Sequence, residues 1–142
     1  SGMRQRVKVV GGIRFIEDCY NANPDSMKAS LEALKTLKKK RSFAVLGDML
    51  ELGDFSEEAH RTVGEFAVST GCEYVLTYGE NAKLTSDEAK SKGVFAENYD
   101  DKEKISDFLY ENLSTDDVVL FKGSRGMKME EIFTSLYKEW EV

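Results

Sequence analysis

The feature that most constrains this chain is an alternation. Short apolar runs with strand character give way repeatedly to polar segments whose apolar residues recur every three or four positions. That pattern belongs to α/β domains built on a largely parallel sheet, because each parallel strand needs a crossover before the next. About six strand-like runs are present, and no Pro/Gly/Ser linker or internal repeat divides them. At 142 residues the chain is long enough to close around its own core without disulfides or metal, so residues 1–142 are expected to form one domain.

The first two runs, in RVKVVGGIRFIEDCY, are separated only by Gly11 and Gly12, which predicts a tight hairpin and therefore an antiparallel first strand. PDSMKASLEALKTLKKK places Met27, Leu31, Leu34 and Leu37 on one helical stripe, with Asn23 as the N-cap and Pro24 in the first turn. RSFAVLGDM is a compact apolar run of the kind buried on both faces of a sheet. EEAHRTVGEFAVSTG reads as a helix with an acidic start and a Gly71 cap, EYVLTYG as a strand, and NAKLTSDEAKSKG as a polar helix. VFAENY is a short strand near an edge. DDKEKISDFLYENL aligns Ile105, Phe108, Leu109 and Leu113, DDVVLFKGS is the last strand, and MKMEEIFTSLYKEW is a closing helix with Met129, Ile132, Phe133, Leu136 and Trp140 inward.

Charge narrows the function classes. The formal net charge of -6 argues against a nucleic-acid surface, which draws on clustered Lys and Arg. The basic run Lys38 to Arg41 sits where a helix should end, and complementation of the helix dipole accounts for it. No apolar stretch approaches the roughly 18 residues of a membrane span, and no signal peptide is recognisable. Cys19 and Cys72 lack CxxC spacing and read as reduced thiols, so a soluble cytoplasmic protein is expected. His60 and two isolated cysteines make no zinc pattern, no EF-hand loop occurs, and no metal site is expected in this chain.

Polar residues collect in four loops that follow strands: DCYNANP, GDMLELG, YGENA and KGSRGM. In open parallel sheets, ligands bind beyond the carboxyl ends of the strands, where such loops converge. KGSRGM invites an anion, since Lys122 and Arg125 supply charge, Gly123 and Gly126 allow close backbone approach, and Ser124 can cap or donate at the start of a helix. A plain strand-to-helix turn with two exposed cations reads equally well. Asp48 and Glu51 could bind a metal or a ribose, or simply cap their own loop. His60 is read as a structural histidine before a catalytic base, and Cys19 as a buried inert thiol. Neither the Walker spacing nor the Gly-rich dinucleotide fingerprint is present.

Taken in order and at these intervals, EDCYNANPDSM, LGDMLELG and KGSRGMKMEE resemble the C-terminal domain of the Mur ligases, and most nearly the branch that adds D-alanyl-D-alanine. The likeness covers essentially the whole chain. YNANP followed by SM is its specific signal; the YNAN form weighs against a MurE-type ligase or a folylpolyglutamate synthase, and a non-catalytic nucleotide-binding α/β domain is the rival of another class. The resemblance implies a three-layer Rossmann-like fold and an ATP-dependent, ADP-forming ligase of peptidoglycan precursor synthesis. Such a ligase joins D-alanyl-D-alanine to UDP-N-acetylmuramoyl-tripeptide through an acyl phosphate. It further implies that the UDP-sugar domain and the central ATPase domain, with the phosphate loop and the Mg2+ ligands, lie outside residues 1–142, so that this chain alone is inactive and carries no catalytic residue. Carried onto this sequence, Arg4, Asp18, Tyr20, Asn21 and Asn23 belong to the ATP side. Lys122, Gly123, Ser124 and Arg125, with Gly79, Glu80 and Asn81, belong to the D-alanyl-D-alanine side.

Overall fold

The structure, a computed structural model, describes residues 5–140. β1 (Arg6–Val10) and β2 (Ile13–Asp18) form the antiparallel hairpin, joined by Gly11 and Gly12 at φ +59° and +78°. Both residues sit in the left-handed region that a two-residue hairpin turn requires, which is why a Gly-Gly pair stands there. The chain continues through α1 (Pro24–Leu37), β3 (Ser42–Gly47), α2 (Ser56–Ser69), β4 (Tyr74–Tyr78), α3 (Ala82–Ser91), β5 (Phe95–Tyr99), α4 (Lys102–Asn112), β6 (Val118–Lys122) and α5 (Glu130–Trp140).

The six strands form one sheet in the order β1-β2-β6-β3-β4-β5, parallel throughout except for the β1–β2 pair. VFAENY is the edge strand expected. β3 and β6, the two central apolar runs, are buried at every position, as strands covered on both faces must be.

Alternation sorts the side chains into two cores. Ile16, Ala44, Leu46, Val75, Val118 and Leu120 face a layer made by α1, α2 and α3. Phe15, Phe43, Val45, Leu76, Val119 and Phe121 face α4 and α5. The molecule is thus a three-layer α/β sandwich, as the resemblance implied. Met27, Leu31 and Leu34 of α1 are 1% exposed or less, which confirms that stripe. Asn23 is the N-cap: its Oδ1 accepts from Ser26 N at 2.8 Å, and Ser26 Oγ accepts from Asn23 N at 3.0 Å. This reciprocal pair is a capping box with serine in the place usually held by Glu or Gln.

One element departs from expectation. The closing helix begins at Glu130 and not at Met127. Residues Arg125–Met127 form a 3-10 turn, and Lys128 adopts φ +50°, which breaks the helical path. The break drops Met127 and Met129 between the loops after β3 and β6. A Cβ on Gly47 would stand 2.7 Å from Met129 Sδ and 3.4 Å from Met127 Cβ.

Candidate functional site

Neighbouring strands send their chains to opposite faces at β6. The loops after β2, β3 and β4 lead to α1, α2 and α3 on one face, while the loop after β6 leads to α5 on the other. Such a switch point is where open α/β sheets bind ligands. All four polar loops of the sequence meet at this end, because β2, β6, β3 and β4 are consecutive in the sheet.

The crevice between β3 and β6 is occupied by the protein itself. Gly47 and Gly123 nearly touch, since a Cβ on Gly123 would lie 3.1 Å from Gly47 Cα and 2.8 Å from Met129 Cγ. Ser124 N donates to Asp48 O at 2.9 Å, and Ser124 Oγ accepts from Leu50 N at 2.8 Å. Ala82 N donates to Asp48 Oδ1 at 2.7 Å, so Asp48 caps α3 and ties the YGENA loop to the GDMLELG loop. A side chain on Gly79, at φ +124°, would collide with that carboxylate. Of the readings open for Asp48, loop capping is the one the geometry supports.

The free space lies to one side, between β2, β6 and α1. Small residues on α1, among them Ala29, Ser30 and Ala33, leave an open cavity of about 480 Å³. Asp18, Tyr20, Asn21 and Lys122 line the rest of it. Asp18 and Lys122 are paired across the β2–β6 ladder, and both belong to the face covered by α1. Lys122 Nζ stands 3.1 Å from Asp18 Oδ2, with the lysine 3% exposed, and Ser30 Oγ donates to the same oxygen at 2.5 Å.

Tyr20 is 44% exposed at the cavity mouth, and the Arg125 guanidinium lies over its ring, 5.1 Å from the centroid. This is a cation–π contact between the loops after β2 and β6. Both asparagines spend their carbonyl oxygens locally, Asn21 on Ala22 N at 2.9 Å and Asn23 on the cap of α1. Glu80 is exposed and Asn81 half-buried at the start of α3. Arg4 lies outside the described residues.

Two sequence readings change. Of the two readings of KGSRGM, an anion-attracting turn at a helix start and a plain turn with two exposed cations, the first loses its helix start and the second one of its exposed cations, Lys122 being buried. The 3-10 turn and Lys128 intervene, and α5 carries Glu130 and Glu131 in its own first turn. Lys122 also parts company with Arg125, because it is the last residue of β6 and faces α1, whereas Arg125 follows in the turn. Ser30 was missed altogether. Its signal is its position: it falls inside the buried stripe of α1, between Met27 and Leu31, where a serine has no hydrophobic reason to be.

His60 is 1% exposed; its Nε2 accepts from Met49 N at 3.0 Å and its Nδ1 lies 2.7 Å from Ser56 O. Both ring nitrogens are engaged, which bears out the structural reading. Burial, aided by the negative charge of Glu130, pushes the Cys19 thiol up to about 12, and burial pushes Cys72 up to about 11. Neither has the lowered value of a nucleophile. Among the described residues no cluster of His, Cys, Asp and Glu side chains is arranged to hold a metal, and no helix is long and apolar enough to cross a membrane.

The fold and the site have their counterpart in a sequence family: the chain belongs to the family "Mur ligase, glutamate ligase domain", whose model matches residues 4–125. Several of its relatives within that family bear the name of one enzyme. The chain is 37% identical over 140 residues to UDP-N-acetylmuramoyl-tripeptide--D-alanyl-D-alanine ligase of Bacillus subtilis, covering 96% of this chain and 31% of that protein. The enzyme of the same name from Escherichia coli is 37% identical over 124 residues, covering 86% and 26%. Among solved structures, the MurF ligase from Thermotoga maritima in complex with ADP superposes with TM-score 0.76 at 33% identity, covering 95% of this chain and 30% of that one. MurF from Acinetobacter baumannii gives TM-score 0.83 at 26% identity, covering 94% and 30%. The resemblance read from YNANP, LGDMLELG and KGSRGM is borne out, and the chain spans about a third of the length of these relatives.

Proposed function

We propose that this chain is the C-terminal domain of a cytoplasmic ATP-dependent ligase that adds D-alanyl-D-alanine to UDP-N-acetylmuramoyl-tripeptide in peptidoglycan precursor synthesis. The single observation that carries the proposal is a cavity lined by Asp18, Tyr20 and Asn21, three of the residues assigned to the nucleotide in the sequence, in a chain whose relatives bear that name. Its volume of about 480 Å³ is in the range of small-molecule sites. Asp18 is placed to accept from sugar hydroxyls, and Tyr20 offers an aromatic face. The resemblance assigns Arg4 to the nucleotide as well, and the two asparagines serve mainly by shaping the loop.

On this reading the ligase activates a carboxylate as an acyl phosphate, with Mg2+ and the phosphate loop supplied by a central domain and the UDP-sugar held by an N-terminal one. The present chain supplies a wall. Ser124, Arg125, Gly79, Glu80 and Asn81 form its D-alanyl-D-alanine side, where the Arg125 guanidinium suits a terminal carboxylate. Closing such a wall excludes water and aligns two substrates, which is where much of the rate of acyl transfer arises.

The test uses a full-length protein carrying this chain, assayed for D-alanyl-D-alanine-dependent release of phosphate from ATP, beside the 142-residue chain alone. Turnover by the full-length protein and none by the chain is the expected result. Turnover by the chain alone would overturn the domain assignment. In the full-length protein Arg125→Ala is expected to raise KM for the dipeptide about tenfold, the weight of one charged hydrogen bond, with a smaller effect on ATP. Equal effects would place the loop in the other subsite.

A further inference from the structure

We infer that Lys122 is a positioning residue of the nucleotide pocket: with Ser30 it turns the Asp18 carboxylate so that the group selects a ribonucleotide over its 2′-deoxy counterpart. The inference rests on the nucleotide reading above and goes beyond it in naming what sets the selectivity. Two donors from two different elements, the ammonium of β6 and the hydroxyl of α1, converge on one oxygen, Asp18 Oδ2. A carboxylate pinned at one oxygen cannot rotate, and its position is set by the packing of β2, β6 and α1 together.

A second buried carboxylate in the same molecule shows what a purely structural pair looks like. Asp117, 0% exposed, has both oxygens taken: Oδ1 by Arg41 Nε at 3.1 Å, and Oδ2 by Arg41 Nη2 at 2.7 Å and Ser114 N at 2.8 Å. Asp18 differs on two counts. Among the described residues its hydrogen bond from Ser30 goes to Oδ2, the oxygen 3.1 Å from the Lys122 ammonium, and it lines the cavity. An acceptor oriented in this way suits a vicinal diol, whose two hydroxyls are both donors. Loss of the 2′-hydroxyl removes one of them. Lys122, at 3% exposure, also offsets the charge that Asp18 brings into the interior, so the same contact permits the carboxylate to sit there.

The test is a titration of the 142-residue chain with ADP and with 2′-deoxy-ADP at millimolar concentration, followed by amide shifts in ¹⁵N spectra. Wild type, Lys122→Met and Ser30→Ala are compared, and the spectra also report whether each variant is folded. The expected result is that wild type prefers ADP, that Lys122→Met binds ADP about tenfold more weakly and no longer distinguishes the two nucleotides, and that Ser30→Ala loses part of the preference. If wild type prefers ADP and both variants keep that preference, the positioning role is overturned and the nucleotide reading stands. If ADP does not shift Tyr20, Asn21 or their neighbours in wild type, the nucleotide reading falls and takes the inference with it. Should Lys122→Met not fold, Ser30→Ala decides alone, since it removes one donor and little volume; an unchanged preference then overturns the role.

Discussion

Asn23→Ala removes one partner of a reciprocal pair at the start of α1, leaving the Ser26 amide without its acceptor. The expected loss is about 1 kcal/mol, read as a lower urea midpoint with an unchanged slope. The thiols carry a prediction of definite sign. Burial favours the neutral form of Cys19 and Cys72, so their contribution to stability is full below the ordinary thiol value of about 8.5 and is lost as pH rises toward the folded values of about 12 and 11. Tyr137, raised by burial and by its 2.7 Å hydrogen bond to Glu17, acts in the same direction. Denaturation midpoints measured across alkaline pH should therefore fall steadily above about pH 8.5. Ellman's reagent should label neither cysteine in the native protein near neutrality and both in denaturant.

Among the elements, one close constraint is the approach of the loops after β3 and β6. Gly123→Ala would set a methyl 2.8 Å from Met129 Cγ and 3.1 Å from Gly47 Cα, and an overpacking cost of about 1–3 kcal/mol is expected from thermal or urea unfolding. The glycines of KGSRGM were read in the sequence as giving room to a ligand, whereas Gly123 gives room to another loop. That difference marks the limit of local reading. The helix stripes, the Gly-Gly hairpin, the Asn23 cap and the four polar loops follow from spacing and residue type and were legible. The insertion of β6 between β2 and β3 depends on contacts a hundred residues apart, and no local pattern encodes it. Once that order is known, counting by twos along IRFIED and VVLFK puts Asp18 beside Lys122. Without it Lys122 groups with Arg125 by proximity in sequence alone. The late start of α5 was hidden for a similar reason, because Met127 and Met129 answer to a crevice that only the assembled sheet creates.

At the scale of the whole molecule the two ends of the sheet have different duties. At the end away from the cavity, Arg41 clamps Asp117, the Tyr74 hydroxyl and the Asn112 carbonyl, joining the start of β3 to the starts of β4 and β6 and the end of α4. Asp117→Ala would leave Ser114 N and the guanidinium without their acceptor, and a loss of about 3 kcal/mol is expected. Because four elements share the clamp, the circular dichroism and the fluorescence of Trp140, the one tryptophan, should shift together as a single transition. At the cavity end, by contrast, Ser124 and Asp48 join the loops after β3, β4 and β6 through hydrogen bonds donated by uncharged backbone amides, and the exposed Tyr20 and Arg125 meet in a cation–π contact.

The hairpin has a further consequence for where the chain enters the sheet. Because β1 runs against β2, Arg6 stands opposite Glu17, and Gln5 already borders the cavity. Ten residues of chain are used to double back, and a parallel first strand would instead admit the chain at the far edge, about 17 Å away for a five-residue strand. The amino-terminal rung of the β1–β2 ladder, Arg6 opposite Glu17, therefore stands at the rim of the cavity, and the hairpin turn lies at the opposite end of the sheet.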